Sequence, residues 1–183
     1  VVLGLPLLGA FVNGVFGKRL GREGVRTMAL SALGGSFVAS VVTFLMLPAS
    51  HEGSASVLRW TAWRWLTISG RTGTSIPIDV AFRVDGMTAT MMLVVTGVGF
   101  LIHVYSTEYM RHDPGYARYM SYLNLFMFSM LTLILGANYA VLFVGWEGVG
   151  LCSYLLIGFW FHKQSASDAG KKAFIVNRIG DAG

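Results

Sequence analysis

NYAVLFVGWEGVGLCSYLLIGFWF, residues 138–161, decides the fold class, and Glu147 is the only charged residue in it. Crossing the hydrocarbon core of a bilayer takes roughly 20 apolar residues at about 1.5 Å rise each, so this run is long enough to span. Counted from Asn138, Glu147 lies about 13 Å along the helix, near the middle of a ~30 Å slab. A carboxylate at that depth costs about 3 kcal/mol or more, so it is expected to face protein or water, and its position alone makes it a functional candidate.

The rest of the chain has the same character. Of its 183 residues, 54% are hydrophobic and only 13% charged, with mean hydropathy +0.61. Soluble domains carry nearer ~25% charged residues, so the composition describes a multi-spanning membrane protein. The net charge of +5 and pI of about 9.6 do not indicate a nucleic-acid binder, because the basic residues mostly sit in short loops between apolar runs. That arrangement matches topology signals facing an anionic leaflet. The lone cysteine, Cys152, excludes an internal disulfide and a Cys-based metal cluster, and reads as a small apolar residue inside a span.

Taken in order, the apolar runs predict spans at about 1–16, 27–47, 86–105, 119–136 and 138–161, with a sixth helix starting at 169. Ser167 or Asp168 is the expected cap of that sixth helix. Both ends read as trimmed, as expected for part of a longer membrane subunit. Between the second and third spans, 57–84 partly alternates in hydrophobicity around the turn residues SGRTGTS (69–75) and predicts a β-hairpin on one membrane face. Its Trp60, Trp63 and Trp65 suit the headgroup level.

Lys and Arg distribution gives an orientation. The loops after the first, third and fifth spans carry Lys18, Arg19, Arg22, Arg26, Arg111, Arg118, Lys163, Lys171 and Lys172. The other side has only Arg59, Arg64, Arg71 and Arg83, spread over a longer segment. The positive-inside rule then puts the first group in the cytoplasm and the hairpin outside, with the amino end also outside.

Five residues carry candidate chemistry. Glu147 is flanked by Gly145, Gly148 and Gly150, which each weaken the helix by about 1 kcal/mol relative to alanine but let a helix or water approach. Burial favours the protonated form of a carboxyl and a nearby cation the ionised form, so a group balanced between the two can exchange a proton. The competing reading is a fixed structural ion pair. Arg178 and Asp181, at i,i+3, share a helix face and can pair, either as a helix-packing ion pair or as part of a polar track, with Asn177 able to join them. Lys172, like Lys171, reads from its position as a lysine snorkelling at the membrane edge. His103 falls near the predicted end of its span, where a lone histidine is more often a hydrogen-bonded structural residue than a proton relay. No Gly-rich nucleotide loop follows a strand, and one cysteine cannot hold an iron–sulfur cluster, so no cofactor site is expected in this chain.

GWEGVGLCSYLLIGFWF (145–161) resembles the signature of the large antiporter-like membrane subunits of respiratory complex I (NADH:quinone oxidoreductase), called chain L in bacteria. DGMTATMMLVVTGVGFLIHVYSTEYM (85–110), GYARYMSYLNLFMFSMLTLIL (115–135) and KKAFIVNRIGD (171–181) are similar to further segments of that family, in its order and spacing. The resemblance implies an antiporter-like helical bundle with a short extracytoplasmic hairpin, and a function in proton pumping. It makes Glu147 the glutamate that the family pairs with a lysine from a later helix, and it raises Lys172, Arg178 and Asp181 as members of a polar track. It also implies that NADH, FMN, iron–sulfur clusters and quinone are held by partner subunits. The implied partners are other membrane subunits of complex I, notably the adjacent antiporter-like subunit, and lipid, without nucleic acid. The implied location is the bacterial plasma membrane, or the mitochondrial inner membrane for an organellar protein. Two rival readings are the large subunit of a multisubunit cation/proton antiporter, disfavoured by GWEGVGLCSY and NRIGD, and a structural membrane scaffold without its own ion path.

Overall fold

The computed structural model describes residues 1–47, 57–69 and 75–181. Apart from one two-stranded hairpin, every element is helical: α1 (Gly4–Met46), β1 (Leu58–Ser69), β2 (Ser75–Val84), α2 (Gly86–Tyr109), α3 (Tyr116–Leu135), α4 (Tyr139–Ile157) and α5 (Gln164–Asp181). Among the described residues, α1 to α4 are long and apolar enough to cross a membrane. The predicted all-α membrane bundle with its hairpin is the observed architecture.

α1 is helical through the stretch that the sequence predicts as a loop, GKRLGREGVR (17–26), and it reverses at one residue. Gly21 has φ 68° and ψ 177°, a backbone state essentially confined to glycine. The two arms then run antiparallel, with Gly9 against Ala32 and Gly17 against Val25. Ser36 Oγ donates across them to the Val2 carbonyl at 2.8 Å. Small residues at these positions let the arms approach closely, and packing of this kind substitutes for the hydrophobic effect in lipid.

α3 is the central helix, packed against α1, α2 and α4, whereas α5 packs on α4. Met120, Asn124 and Leu131 of α3 are inaccessible to solvent. Outward-facing residues such as Val38, Leu45, Leu101 and Ile102 stay exposed, as a lipid-facing surface requires. α2 continues four residues past its predicted end. His103 is therefore an interior residue and not an interfacial one, since it is completely buried.

α2 opens on a capping box. The Asp85 carboxylate accepts from the Thr88 N–H at 2.9 Å, and Thr88 Oγ1 accepts from the Asp85 N–H at 2.7 Å. Arg83 adds an ion pair at 3.1 Å. The Thr88 backbone hydrogen bond, helped by the Arg83 charge, holds the Asp85 carboxyl below its usual value of 3.8. A carboxyl depressed on folding stabilises the fold above its unfolded pKa, and that contribution fades as pH falls through the depressed value. Asp85→Ala is expected to cost about 1 kcal/mol of stability at neutral pH, and the difference from wild type should shrink below the carboxylate range. Thermal unfolding of the purified assembly at pH 7 and at pH 3 measures both.

The hairpin pairs antiparallel, with Trp60 opposite Phe82 and the two rings stacked at 5.9 Å. Trp60, Trp63 and Trp65 are exposed, as headgroup-level indoles would be. Residues 70–74 of the predicted turn lie outside the described residues. The hairpin is tied to the α3–α4 turn: Ala137 N–H donates to the Ala81 carbonyl at 2.9 Å, and Asn138 Nδ2 to the Asp79 carbonyl at 2.7 Å. Asn138 Oδ1 also accepts from the Val141 N–H at 3.0 Å and so caps α4.

α5 starts at Gln164, five residues before its predicted start. Ser167 and Asp168 are inside the helix and do not cap it. Asp168 instead accepts from Gln164 Nε2 at 3.0 Å and pairs with Lys171 at 3.8 Å, which supports the first turns from the side.

Candidate functional site

Glu147 is set by α3 as much as by its own helix. Gly145 lies directly on the Leu133 backbone, and Gly148 lies against the Ser129 hydroxyl, where an added Cβ would sit 2.6 Å away. These glycines bring α4 onto α3 without spacing side chains and turn the next face, with Glu147, toward α5. The side chain of Glu147 is 19% exposed.

Across that face, Glu147 Oε2 pairs with the guanidinium of Arg178 on α5. Its other oxygen, Oε1, is buried and has no hydrogen-bond partner among the described residues. Next to it, Trp146 Nε1 donates to Asp181 Oδ1 at 2.6 Å. The Arg178 guanidinium also lies over the Phe174 ring, 5.0 Å from its centroid. A groove of about 620 Å³ opens along this seam, lined by Met130, Leu133, Ser153, Phe174 and Asn177 together with the four polar residues.

Two cross-helix contacts therefore replace the expected i,i+3 pair. Arg178 engages Glu147 and Asp181 engages Trp146, so the predicted Arg178–Asp181 ion pair does not form. Asn177 lines the groove and makes no hydrogen bond to Asp181. Trp146 is the residue that sequence reasoning missed. Its signal was an indole N–H inside an apolar run, a donor that needs a partner once out of water.

Glu147, Arg178 and Asp181 are brought together; Lys172 and His103 are not. Lys172 is exposed on α5 and makes no ion pair among the described residues, while Lys171 turns to Asp168. His103 is on α2, which touches α1, α3 and β2 but not α4 or α5. Among the described residues, no three His, Cys, Asp or Glu side chains converge as metal ligands would.

Comparison with known proteins adds the family. Residues 65–120 match the model described as NADH-ubiquinone oxidoreductase (complex I), chain 5 N-terminus, and residues 136–183 match NADH:quinone oxidoreductase/Mrp antiporter, TM. The chain is 44% identical over 180 residues to NADH-quinone oxidoreductase subunit L of Neisseria meningitidis, covering 98% of this chain and 26% of that protein. The chain belongs to the antiporter-like subunit family of complex I. It is also 41% identical over 183 residues to subunit L of Mycobacterium tuberculosis, covering all of this chain and 28% of the relative. NADH-ubiquinone oxidoreductase chain 5 of Metridium senile is 41% identical over 183 residues, again along the whole chain and 29% of the relative. The chain spans a little over a quarter of the length of these curated relatives. The second model covers both the Glu147 helix and α5, so the whole charged seam of this antiporter-like chain lies inside the family match.

Proposed function

We propose that this antiporter-like chain carries a proton-loading carboxylate, Glu147, of a proton-translocating NADH:quinone oxidoreductase. The observation that carries this reading is the half-engaged state of Glu147: one carboxylate oxygen is held by a permanent cation, and the other is buried without a partner among the described residues. Arginine stays protonated, so Arg178 supplies fixed positive charge and Glu147 is the member of the pair that can gain or lose a proton. Oε1 is the atom left to receive it, from a water or from a second cation brought by another part of the assembly. When such a cation approaches, the ionised form is favoured; when it withdraws, a proton is taken up. Trp146 and Asp181 extend the polar seam along α5, and Asp181 holds the indole so that it borders the groove.

Redox chemistry with NADH, FMN, iron–sulfur clusters and quinone belongs, in this proposal, to partner subunits, and this chain contributes ion transfer alone. Its neighbours are other membrane subunits of complex I, including an adjacent antiporter-like one. Five crossings follow when each arm of α1 is counted once. The basic end, with Lys18, Arg22 and Arg118, then faces the cytoplasm of a bacterium or the matrix of an organelle. Trypsin added to the outer face of sealed, oriented vesicles is expected to cut at Arg59, Arg64 or Arg83; cutting there only from the cytoplasmic face would reverse the topology.

The decisive test of the function is the ratio of protons moved to NADH oxidised in vesicles holding the intact assembly with Glu147→Gln. An unchanged ratio would remove Glu147 from the path.

A further inference from the structure

Away from Glu147, three buried polar side chains on three helices lie close in register along the bundle. Asn13, His103 and Asn124 are at most 1% exposed. Between them they leave four buried polar atoms without a partner among the described residues: both amide atoms of Asn13, Oδ1 of Asn124 and Nε2 of His103. Buried polar atoms in folded proteins are nearly always hydrogen-bonded, so four this close in register call for partners that the side chains do not supply.

Helix register puts them together. In α1, Gly9 faces Ala32 and Gly17 faces Val25, which sets Asn13 opposite Ala29 on the second arm. Gly9 also faces the Asn124 amide, where an added Cβ would sit 3.0 Å from Oδ1, and Ser121 Oγ donates to the Ala10 carbonyl at 2.7 Å. α2 runs antiparallel to α3 and to the second arm of α1, with Gly99 against both Met127 and Leu33. One turn further on, His103 comes between the level of Asn124, opposite Gly9, and that of Asn13, opposite Ala29.

The chemistry of the four atoms identifies what fits between them. His103 Nδ1 lies 2.8 Å from the Gly99 carbonyl, so Nδ1 carries the hydrogen and Nε2 is an acceptor in the neutral ring. Asn124 Nδ2 is already used on the Met120 carbonyl at 3.0 Å, which leaves Oδ1 as an acceptor. Asn13 offers both a donor and an acceptor. None of the four atoms hydrogen-bonds to another. Three acceptors and one donor need at least two small molecules that each donate twice and also accept, and that fit a space floored by alanine; that ligand is water. A groove of about 570 Å³ leads to Asn13 from the basic end of the bundle, past Lys18, Arg118 and His162 at its mouth and Ser121 on its wall.

We propose that Asn13, Asn124 and His103 form an internal water-binding site in the α1–α2–α3 core, filled through the groove beneath Lys18 and Arg118. Water held there bridges His103 Nε2 to the two amides and gives a fully buried imidazole proton exchange with the basic face. The site is separate from the Glu147 seam, because α2 does not reach α4.

Two measurements on the full subunit in its assembled complex test this without reference to pumping. A map at a resolution that shows solvent should contain density within hydrogen-bond reach of His103 Nε2 and of an Asn13 or Asn124 amide. Direct amide–imidazole contact with no density between would overturn the site. Deuterium exchange at the histidine C2 position, read by mass spectrometry, should proceed at His103 despite its burial, with the exposed His112 as the reference within the chain. Asn13→Leu should slow exchange at His103 about tenfold, the order expected from losing one bridging hydrogen-bond partner, and leave His112 unchanged. An equal His103 rate in Asn13→Leu, or no exchange in wild type while His112 completes, would also overturn it. Should Asn13→Leu prevent assembly, the wild-type map and exchange rate still decide.

Discussion

Glu147→Gln is expected to cut proton transfer through this chain by about 100-fold or more, the scale on which a positioned acid–base group acts, while NADH oxidation continues. The amide matches the carboxylate in size, and its oxygen can still accept from Arg178, so the seam should keep its shape. What it loses is the ability to bind and release a proton. Glu147→Asp, one methylene shorter, draws the carboxylate back from Arg178 and should fall between the two. The readout is proton uptake into vesicles per NADH oxidised, taken beside the oxidation rate, so that loss of coupling is separated from loss of assembly.

The second large effect concerns the partner. Arg178→Met keeps most of the apolar stem against Phe174 but removes the only cation that Glu147 touches among the described residues. Removing one member of a buried pair typically costs about 3–5 kcal/mol because it strands the other charge, but Arg178 is 44% exposed, and the screening this brings lowers the expectation to about 1–3 kcal/mol. The double variant with Glu147→Gln should recover part of that loss, since no stranded charge remains. A double-mutant cycle on the thermal stability of the assembly isolates the pair. Strict additivity would mean that the two residues meet without energetic consequence. Arg178→Lys should restore charge but not the flat guanidinium over Phe174, and so recover only part of the stability.

The helices were legible because lipid imposes one rule: a spanning segment must satisfy its own backbone and cover it with apolar side chains. That rule writes α2, α3 and α4 openly into the sequence. It says little about α1 at Gly21, where the polar residues that mark a loop are equally suited to helix ends at a membrane surface. The start of α5 was misplaced for a related reason. Asp168 is as good a cap as it is a mid-helix partner for Gln164, and sequence alone does not weigh them.

At the site, spacing rules see only neighbours. They paired Arg178 with Asp181 because i,i+3 residues share a face. The actual partners, Glu147 and Trp146, come from another helix, and Trp146 is 35 positions from Asp181. Glu147 itself was found because an acid in an apolar span is costly wherever the chain goes. His103 was misjudged as interfacial because the end of α2 was set at 105, and a helix running on to Tyr109 carries its ring into the core.

The clasp between the hairpin and the α3–α4 turn bears on how Glu147 is held in height. Asn138 is gripped from both sides, by β2 through its amide nitrogen and by α4 through its amide oxygen. From that anchored point the helix runs on at about 1.5 Å per residue, so the carboxylate sits at a set distance from the hairpin. The hairpin thus acts as a depth stop for a charge: loosening it would let α4 slide along its axis, and Glu147 would meet Arg178 too high or too low.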